Sequence, residues 1–437
     1  MSSDEVYEAY ATFFFSILIM RVSSSASLID SRTAAWRLLV TLVIMTLGSS
    51  CAYVVSVVLP VVQSEFGVSR SDASLPYTAL MVGYAVGGML MGRLADRMGI
   101  VFPMMVGAAG VLAGFIWAGL STNIHSFALA HGLLIGLLGM SATFAPLIAD
   151  TSLWWKKFRG IAVAICASGS YLAGAIWPPV TQRYVEAFGW RESYIALGLF
   201  CGIGMALLAL FLRKAPPNQP VEMRQTRPGQ LQAFTLDKKP FGIDPVAAQW
   251  LLFIAGVACC VAMAMPQVHI VAYCSDLGFG PARGAEMLAL MLGCGIISRL
   301  FFGWVCDHIG GVKTLLLGSI LQALALLMFL PFKGLVSLYV VSALFGLFQG
   351  GIVPAYAIII REHFPTKQSG RLVGFVVMGT LLGMALGGWM TGKIFDLTGS
   401  YHAAIVNGIG WNLLNIAIAF WMFWRIRQPS RMTATAA

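Results

Sequence analysis

The sequence predicts an all-α membrane protein, twelve transmembrane helices in two pseudo-symmetric six-helix bundles. Three observations predict it: a composition too apolar to coat a soluble globule, twelve apolar stretches of spanning length, and a set of motifs that occurs twice in the same order. Of 437 residues, 58% are hydrophobic and 11% charged, against about 25% charged in an ordinary soluble domain. Mean hydropathy is +0.81.

A helix needs about 20 apolar residues to cross a bilayer. Such stretches lie at about 38–62, 73–95, 100–121, 126–150, 160–182, 193–212, 247–273, 284–306, 312–331, 335–360, 370–394 and 402–424. They divide into bundles at 38–212 and 247–424, leaving an N-terminal segment (1–37), a linker (213–246) and a tail (425–437). The linker carries Pro216, Pro217, Pro220, Pro228, Pro240 and Pro245, which predicts irregular structure. No catalytic domain fits outside the membrane, so neither an enzyme nor a cofactor is expected. The run ATFFFSILIM (11–20) is too short to span and follows Asp4, Glu5 and Glu8 instead of basic residues, unlike a signal peptide. It is expected to be a tail or an interfacial segment.

The formal net charge of +10 is topological. With a cytoplasmic N-terminus, the inner side holds Arg21, Arg32, Arg37, Arg93, Arg97, Lys156, Lys157, Arg159, Lys313, Arg361, Lys367 and Arg371, besides the basic residues of linker and tail. The outer side keeps only Arg70, Arg183, Arg191, Arg283, Lys333 and Lys393. This positive-inside pattern places both termini in the cytoplasm and argues against a nucleic-acid partner. The eight cysteines lie within or beside spans, with neither a C-x-x-C pair nor a Cys/His metal spacing, so no metal is expected.

The halves match at an offset of roughly 210 residues. EFGVSRSDAS (65–74) matches DLGFGPARGA (276–285), and GRLADRMG (92–99) matches GWVCDHIG (303–310). SGSYLAG (168–174) matches MGTLLGM (378–384), and EAFGW (186–190) matches DLTGS (396–400). Duplicated bundles are the plan of a secondary transporter, with its solute site between the halves near mid-membrane. Glycines along the second, eighth and eleventh spans would allow close, rocking contacts or ordinary helix packing.

GRLADRMG lies in the loop after the second span and resembles the loop signature of the major facilitator superfamily, G-x-L-a-D-r-x-G. Gly92, Leu94, Asp96, Arg97 and Gly99 fit it, although Ile100, Val101 and Phe102 replace the usual trailing basic residues. The resemblance implies a gating role for Gly92, Asp96, Arg97, Gly99 and, in the second copy, Asp307. EFGVSR, WWKKFRGIAVAICASG (154–169), the eighth-span Arg ahead of G-x-x-x-D, and FDLTGSY (395–401) together resemble the monocarboxylate-porter and oxalate/formate-antiporter branch. In that branch the eighth-span Arg binds the substrate carboxylate, and Arg299 holds the matching position. Gly295 stands where an Asn is expected one turn earlier, so polar selection there should differ.

Physics supports the same residue. Arg does not lose its proton, and a charge at mid-bilayer costs several kcal/mol on insertion scales. Arg299 lies roughly 10 Å from the inner end of its span by helix rise. Its side chain leans toward the helix N-terminus, and so toward the midplane. Its planar fork suits a carboxylate. The rival is an internal ion pair, yet the nearest acids, Asp150 and Glu286, sit close to span ends.

Other polar residues at span depth are Tyr53, Tyr84, Ser141, Tyr171, Gln349 and Tyr356, each a candidate for the cavity wall or for helix packing. His131 and His269 titrate near neutrality and are candidates for a coupling proton. Pro266 and Gln267 predict a broken, polar stretch beside His269, and Gly350, Gly351 and Pro354 a loosened helix before Tyr356.

The expected function is transport of a small organic anion, a monocarboxylate first, across the plasma membrane by proton symport. Carboxylate antiport is the close rival. Export of apolar drugs, suggested by 22 methionines and 27 phenylalanines, gains nothing from Arg299. A non-transporting sensor would usually carry a signalling domain.

Overall fold

Most of the apolar stretches fold into helices that overrun their predicted limits by a few residues, because capping and polar turns extend beyond the apolar core of a span, while the third is shorter at both ends and the ninth stops three residues early. The computed structural model of the chain describes residues 28–214, 240–365 and 369–427. Its twelve spans are α1 Arg32–Phe66, α2 Arg70–Met98, α3 Val101–Gly119, α4 Ile124–Trp154, α5 Arg159–Phe188, α6 Trp190–Leu212, α7 Pro245–Asp276, α8 Pro281–Ile309, α9 Gly311–Met328, α10 Leu335–His363, α11 Ser369–Thr398 and α12 Tyr401–Arg427. All secondary structure among the described residues is helical. The run 11–20 and most of the linker lie outside them. Even-numbered spans end on the side where the linker joins, here called the linker end; odd-numbered spans end on the far side.

The duplication reappears in the backbone. Gly67 and Gly278 turn at φ +60° and +82°, Gly99 and Gly310 at +78° and +83°, and Gly189 and Gly399 at +86° and +65°. These are the glycine pairs that the motif alignment superposes. A left-handed φ is strained for any residue with a Cβ, so each pair fixes the same turn in both halves. The fourth and tenth spans also break at matching depths. The α4 backbone passes through a π-helical stretch, Ala130–Met140, and kinks at Phe144. The α10 helix stops at Gln349 and restarts at Ile352, as Gly350 and Gly351 predict.

Two buried cores follow the halves. One gathers α1–α6 with a few residues from α7 and α11; the other gathers α7–α12 with Val57 and Tyr171 from the first half. Of the glycines along the second, eighth and eleventh spans, Gly83, Gly87, Gly379, Gly383 and Gly387 pack inside a half. A Cβ on Gly83 would lie 2.1 Å from the Gly132 carbonyl of α4, and one on Gly383 would lie 2.5 Å from the Val257 carbonyl of α7. Gly295 and Gly388 do face the other half, against Tyr171 and Tyr77.

The break predicted at Pro266 is absent. The α7 helix runs unbroken through it. Proline removes one intrahelical bond, and close packing of α7 on α11 and α12 keeps the helix intact despite that loss.

Gly346 lets α10 approach α8, since a Cβ there would lie 2.0 Å from the Met291 carbonyl oxygen, whereas Gly374 faces open space. Gly346→Ala should therefore destabilise by about 1–3 kcal/mol, the usual cost of overpacking. Gly374→Ala should leave stability unchanged or raise it slightly. Thermal melting in detergent, followed by size-exclusion recovery, distinguishes the two.

Candidate functional site

Arg299 sits where α8 meets α1, α2 and α5. Its Nη1 donates to the Ala167 carbonyl of α5 at 2.9 Å, and its Cζ lies 4.3 Å from the centroid of the Tyr171 ring. Gly295 makes that stacking possible: a Cβ on it would lie 2.5 Å from Tyr171 Cε1. The ring thus fills the space an Asn at 295 would need. Tyr53 of α1 and Tyr84 of α2 lie within electrostatic reach of the guanidinium. Tyr53 also packs against Gly174, whose Cβ would lie 2.9 Å from its Cζ. Four residues from both halves converge here: Arg299, Tyr171, Tyr53 and Tyr84.

No carboxylate pairs with Arg299 among the described residues. Asp150 is claimed by Arg37, whose Nε and Nη2 each reach a carboxylate oxygen at 2.9 Å. Arg37 also donates to the Leu212 and Lys214 carbonyls and lies over the Trp154 ring at 4.5 Å. Glu286 bonds to Arg283 at 2.9 Å and to the Tyr339 hydroxyl. Arg299 Nε is buried with no partner, and its Nη2 makes no hydrogen bond to the described residues. The Nε/Nη2 edge of the guanidinium is thus unused, and that edge matches the two oxygens of one carboxylate.

Magnitudes explain how such a charge persists. Mid-helix Arg costs about 2.5–3.5 kcal/mol on insertion scales. A charge-assisted bond to a carbonyl returns about 1.5–3 kcal/mol and stacking on Tyr171 about 0.5–2 kcal/mol. These two contacts are therefore enough to hold the guanidinium, while its Nε/Nη2 edge stays unpaired among the described residues.

The other predicted residues fall elsewhere. Gln349 is fully buried and accepts at Oε1 from Gln267 of α7 at 2.8 Å, while its own Nε2 has no partner. Tyr356 donates to Asn415 Oδ1 at 2.9 Å, and Asn415 donates to Ser319 at 2.8 Å, a network toward α9 and α12 that turns Tyr356 away from Arg299. Ser141 bonds back to the Leu137 carbonyl at 2.6 Å and packs on Gly87 between α2 and α4. His131 is buried among Phe127, Trp190 and Tyr194, with Nδ1 at 2.8 Å from the Phe127 carbonyl and Nε2 at 3.2 Å from Tyr194 Oη. His269 is fully buried, with Nε2 at 2.8 Å from the Gly388 carbonyl and Nδ1 at 3.2 Å from Tyr401 Oη.

Gly92, Asp96, Arg97 and Gly99 lie at the linker end of α2, and Asp307 at the linker end of α8. Asp96, Arg97 and Asp307 are exposed and form no ion pair among the described residues. The polar contacts joining the halves lie instead at mid-depth and the far end. Thr78 donates to the Ala385 carbonyl at 3.1 Å. Arg70, at the head of α2, donates to Tyr401 Oη at 2.9 Å and Asp276 Oδ1 at 3.1 Å. Asp396 accepts the backbone N–H groups of Arg70 and Ser71 at 2.7 and 2.9 Å. Sequence reading counted Arg70 only as an outer-loop charge; the signal available was that EFGVSR and FDLTGSY both mark the same branch. No group of three or more His, Cys, Asp or Glu side chains among the described residues could hold a metal.

The family model of the Major Facilitator Superfamily matches residues 38–337 and 284–436. Among curated relatives, Monocarboxylate transporter 13 of Rattus norvegicus is 26% identical over 338 residues, 76% of this chain and 75% of its own length. The sialic acid transporter NanX of Escherichia coli K12 is 26% identical over 380 residues, covering 82% and 88%. The MFS transporter asaE of Aspergillus flavus is 24% identical over 327 residues, covering 74% and 71%. A solved bacterial homologue of the human lysosomal transporter Spinster, in an inward-facing form, shares the fold with a TM-score of 0.68 at 15% identity, over 91% of this chain and 98% of that one.

Removing Asp150 would strand the buried Arg37 guanidinium. Asp150→Ala should destabilise the protein by about 3–5 kcal/mol, while substrate affinity in the folded fraction stays at the wild-type value. Melting temperature and a binding titration on the same preparation check both halves of that statement.

Proposed function

The chain belongs to the Major Facilitator Superfamily and is a transporter, not an enzyme; from that premise we propose that it carries a small organic anion, a monocarboxylate first, by proton symport. The observation carrying this reading is the unpaired Nε/Nη2 edge of Arg299 between the halves. A carboxylate would bridge that edge with two charge-assisted bonds. Tyr171 supports the cation from behind, and Tyr53 and Tyr84 offer hydroxyls and ring faces to a short hydrocarbon chain. Two relatives are named for acids, a monocarboxylate and a sialic acid, which agrees with this choice.

The positive-inside charges favour a cytoplasmic linker end and cytoplasmic termini, and location in the plasma membrane is part of the same proposal. The halves 38–212 and 247–424 then rock about the Arg299 layer. With contacts concentrated at the far end, the conformation described is the inward-facing one. Asp96, Arg97 and Asp307, unpaired at the linker end, would engage when that end closes.

Uptake of an anion against a negative-inside potential costs about 2.3 kcal/mol per charge per 100 mV. One co-transported proton cancels that cost. Of the two buried histidines, His269 is the better carrier, since it bonds to Tyr401 within the layer joining the halves, whereas His131 is enclosed in one bundle.

Uptake of labelled lactate, pyruvate and formate into proteoliposomes tests this. An inward proton gradient should accelerate uptake of at least one of them. Acceleration by trans carboxylate alone would assign antiport instead. Arg299→Lys and Arg299→Gln should each lower uptake by roughly tenfold or more, since each charge-assisted bond is worth about 1.5–3 kcal/mol. Wild-type rates in both variants would refute the role of Arg299.

A further inference from the structure

The far-end contacts form a closed chain of hydrogen bonds whose proton positions are fixed by geometry. The Gly388 carbonyl can only accept, so His269 Nε2 must carry a hydrogen at 2.8 Å from it. Arg70 Nη1 can only donate, so Tyr401 Oη accepts from it at 2.9 Å. The Tyr401 hydroxyl then gives its single hydrogen to His269 Nδ1 at 3.2 Å. As drawn, the chain requires a neutral His269.

Arg70 is the N-terminal half's contribution to this cluster and is itself buried. It lies over the Phe395 ring at 4.6 Å, reaches Asp276, and starts the segment whose N–H groups Asp396 holds. Gly392 permits the contact: a Cβ there would lie 2.8 Å from the Arg70 carbonyl. Solvent has its own approach. A cavity of about 160 Å³ is lined by Tyr273, Asp276, Lys333, Tyr401 and His402 among others, so it reaches the Tyr401 side of the chain.

We propose that Arg70 is the bolt of the far-end gate and that a proton on His269, delivered along this cavity and Tyr401, withdraws it. The proposal rests on the alternating-access reading above but not on the ligand of Arg299. Protonated His269 would present N–H at both ring nitrogens, so Tyr401 loses its acceptor and must turn its hydroxyl. A second cation would then stand one hydroxyl from Arg70. The groups facing it are Tyr273 and Asp276 on α7, Asp396 and the Gly388 carbonyl on α11, Tyr401 on α12, and Arg70 and Tyr77 on α2. Asp396 lies within electrostatic reach of His269 and accepts the backbone N–H groups of Arg70 and Ser71, so the imidazolium draws on a carboxylate that holds the halves together. A proton arriving from the far side thus opens that side, the order a proton-driven uptake carrier needs.

Spin labels read this without any substrate. Ser64 and Lys333 are exposed far-end positions in opposite halves. The native cysteines are buried except Cys294, which is half-buried and would be replaced by Ala. Distances between labels on Ser64→Cys and Lys333→Cys, in lipid nanodiscs at about pH 7.5 and about pH 4.5 to span the protonation range of a buried histidine, should show the longer-distance fraction rising severalfold on acidification. His269→Gln should abolish that response. Tyr401→Phe, which keeps the ring and removes only the hydroxyl, should weaken it, and Arg70→Gln should give the longer distance at both pH values. His125→Gln, at an exposed far-end histidine outside this cavity, should respond as the parent does. An unchanged response in His269→Gln, a lost response in His125→Gln, a short distance in Arg70→Gln, or no response in the parent would each overturn the proposal. Failure of carboxylate uptake with an intact pH response would leave this gate standing and remove only the substrate assignment.

Discussion

A full positive charge held within a membrane span, with no counter-charge among the described residues, is the constraint around which this structure is organised. Arg299 cannot shed its proton, and it is half-buried where the two halves meet. Only a ring face and one carbonyl offset the cost. Those contacts hold the guanidinium but leave its Nε/Nη2 edge unpaired among the described residues. A carrier needs that balance. A site already neutralised by its own Asp or Glu would have little to gain from a substrate carboxylate, and a site with no support would not survive unloaded.

The remaining charges divide by where they act. Arg37 with Asp150, Arg191 with Glu65 and Arg283 with Glu286 each pair within one half. Such pairs stiffen a bundle as a body. Arg70 with Asp276 crosses between halves, and Arg299 reaches from α8 to the Ala167 carbonyl of α5. These cross-half contacts are the ones any rocking motion must make and break. The first lies at the far end beside Tyr401 and His269 and the second deeper beside Tyr171, so the two contacts occupy different levels of one interface.

Much of this was legible in the sequence, and the limits have physical reasons. The glycine pairs were visible because a left-handed turn admits few other residues, so aligning motifs aligned backbone conformations. Arg299 stood out because a lone charge in an apolar span is costly wherever its partner lies. The direction of buried polar side chains was not legible. Tyr171 and Tyr356 are both mid-span tyrosines, yet one lies under Arg299 and the other bonds to Asn415 in the second bundle. Helical rotation decides that, and local spacing does not set it against partners far away in sequence. Arg70 was hidden for the same reason, since Asp396 lies 326 residues along the chain. Pro266 misled because local propensity gives way to packing on all sides of α7.

The most direct test is nuclear magnetic resonance of arginine side chains in the purified protein labelled with nitrogen-15. The Nε–H signal that Arg299→Lys removes belongs to the unpaired edge. The account predicts that this signal moves downfield, saturably, when lactate, pyruvate or formate is added, and stays in place with the corresponding methyl esters. An unmoved signal at saturating concentrations of every carboxylate transported, or an equal shift with the esters, would contradict it.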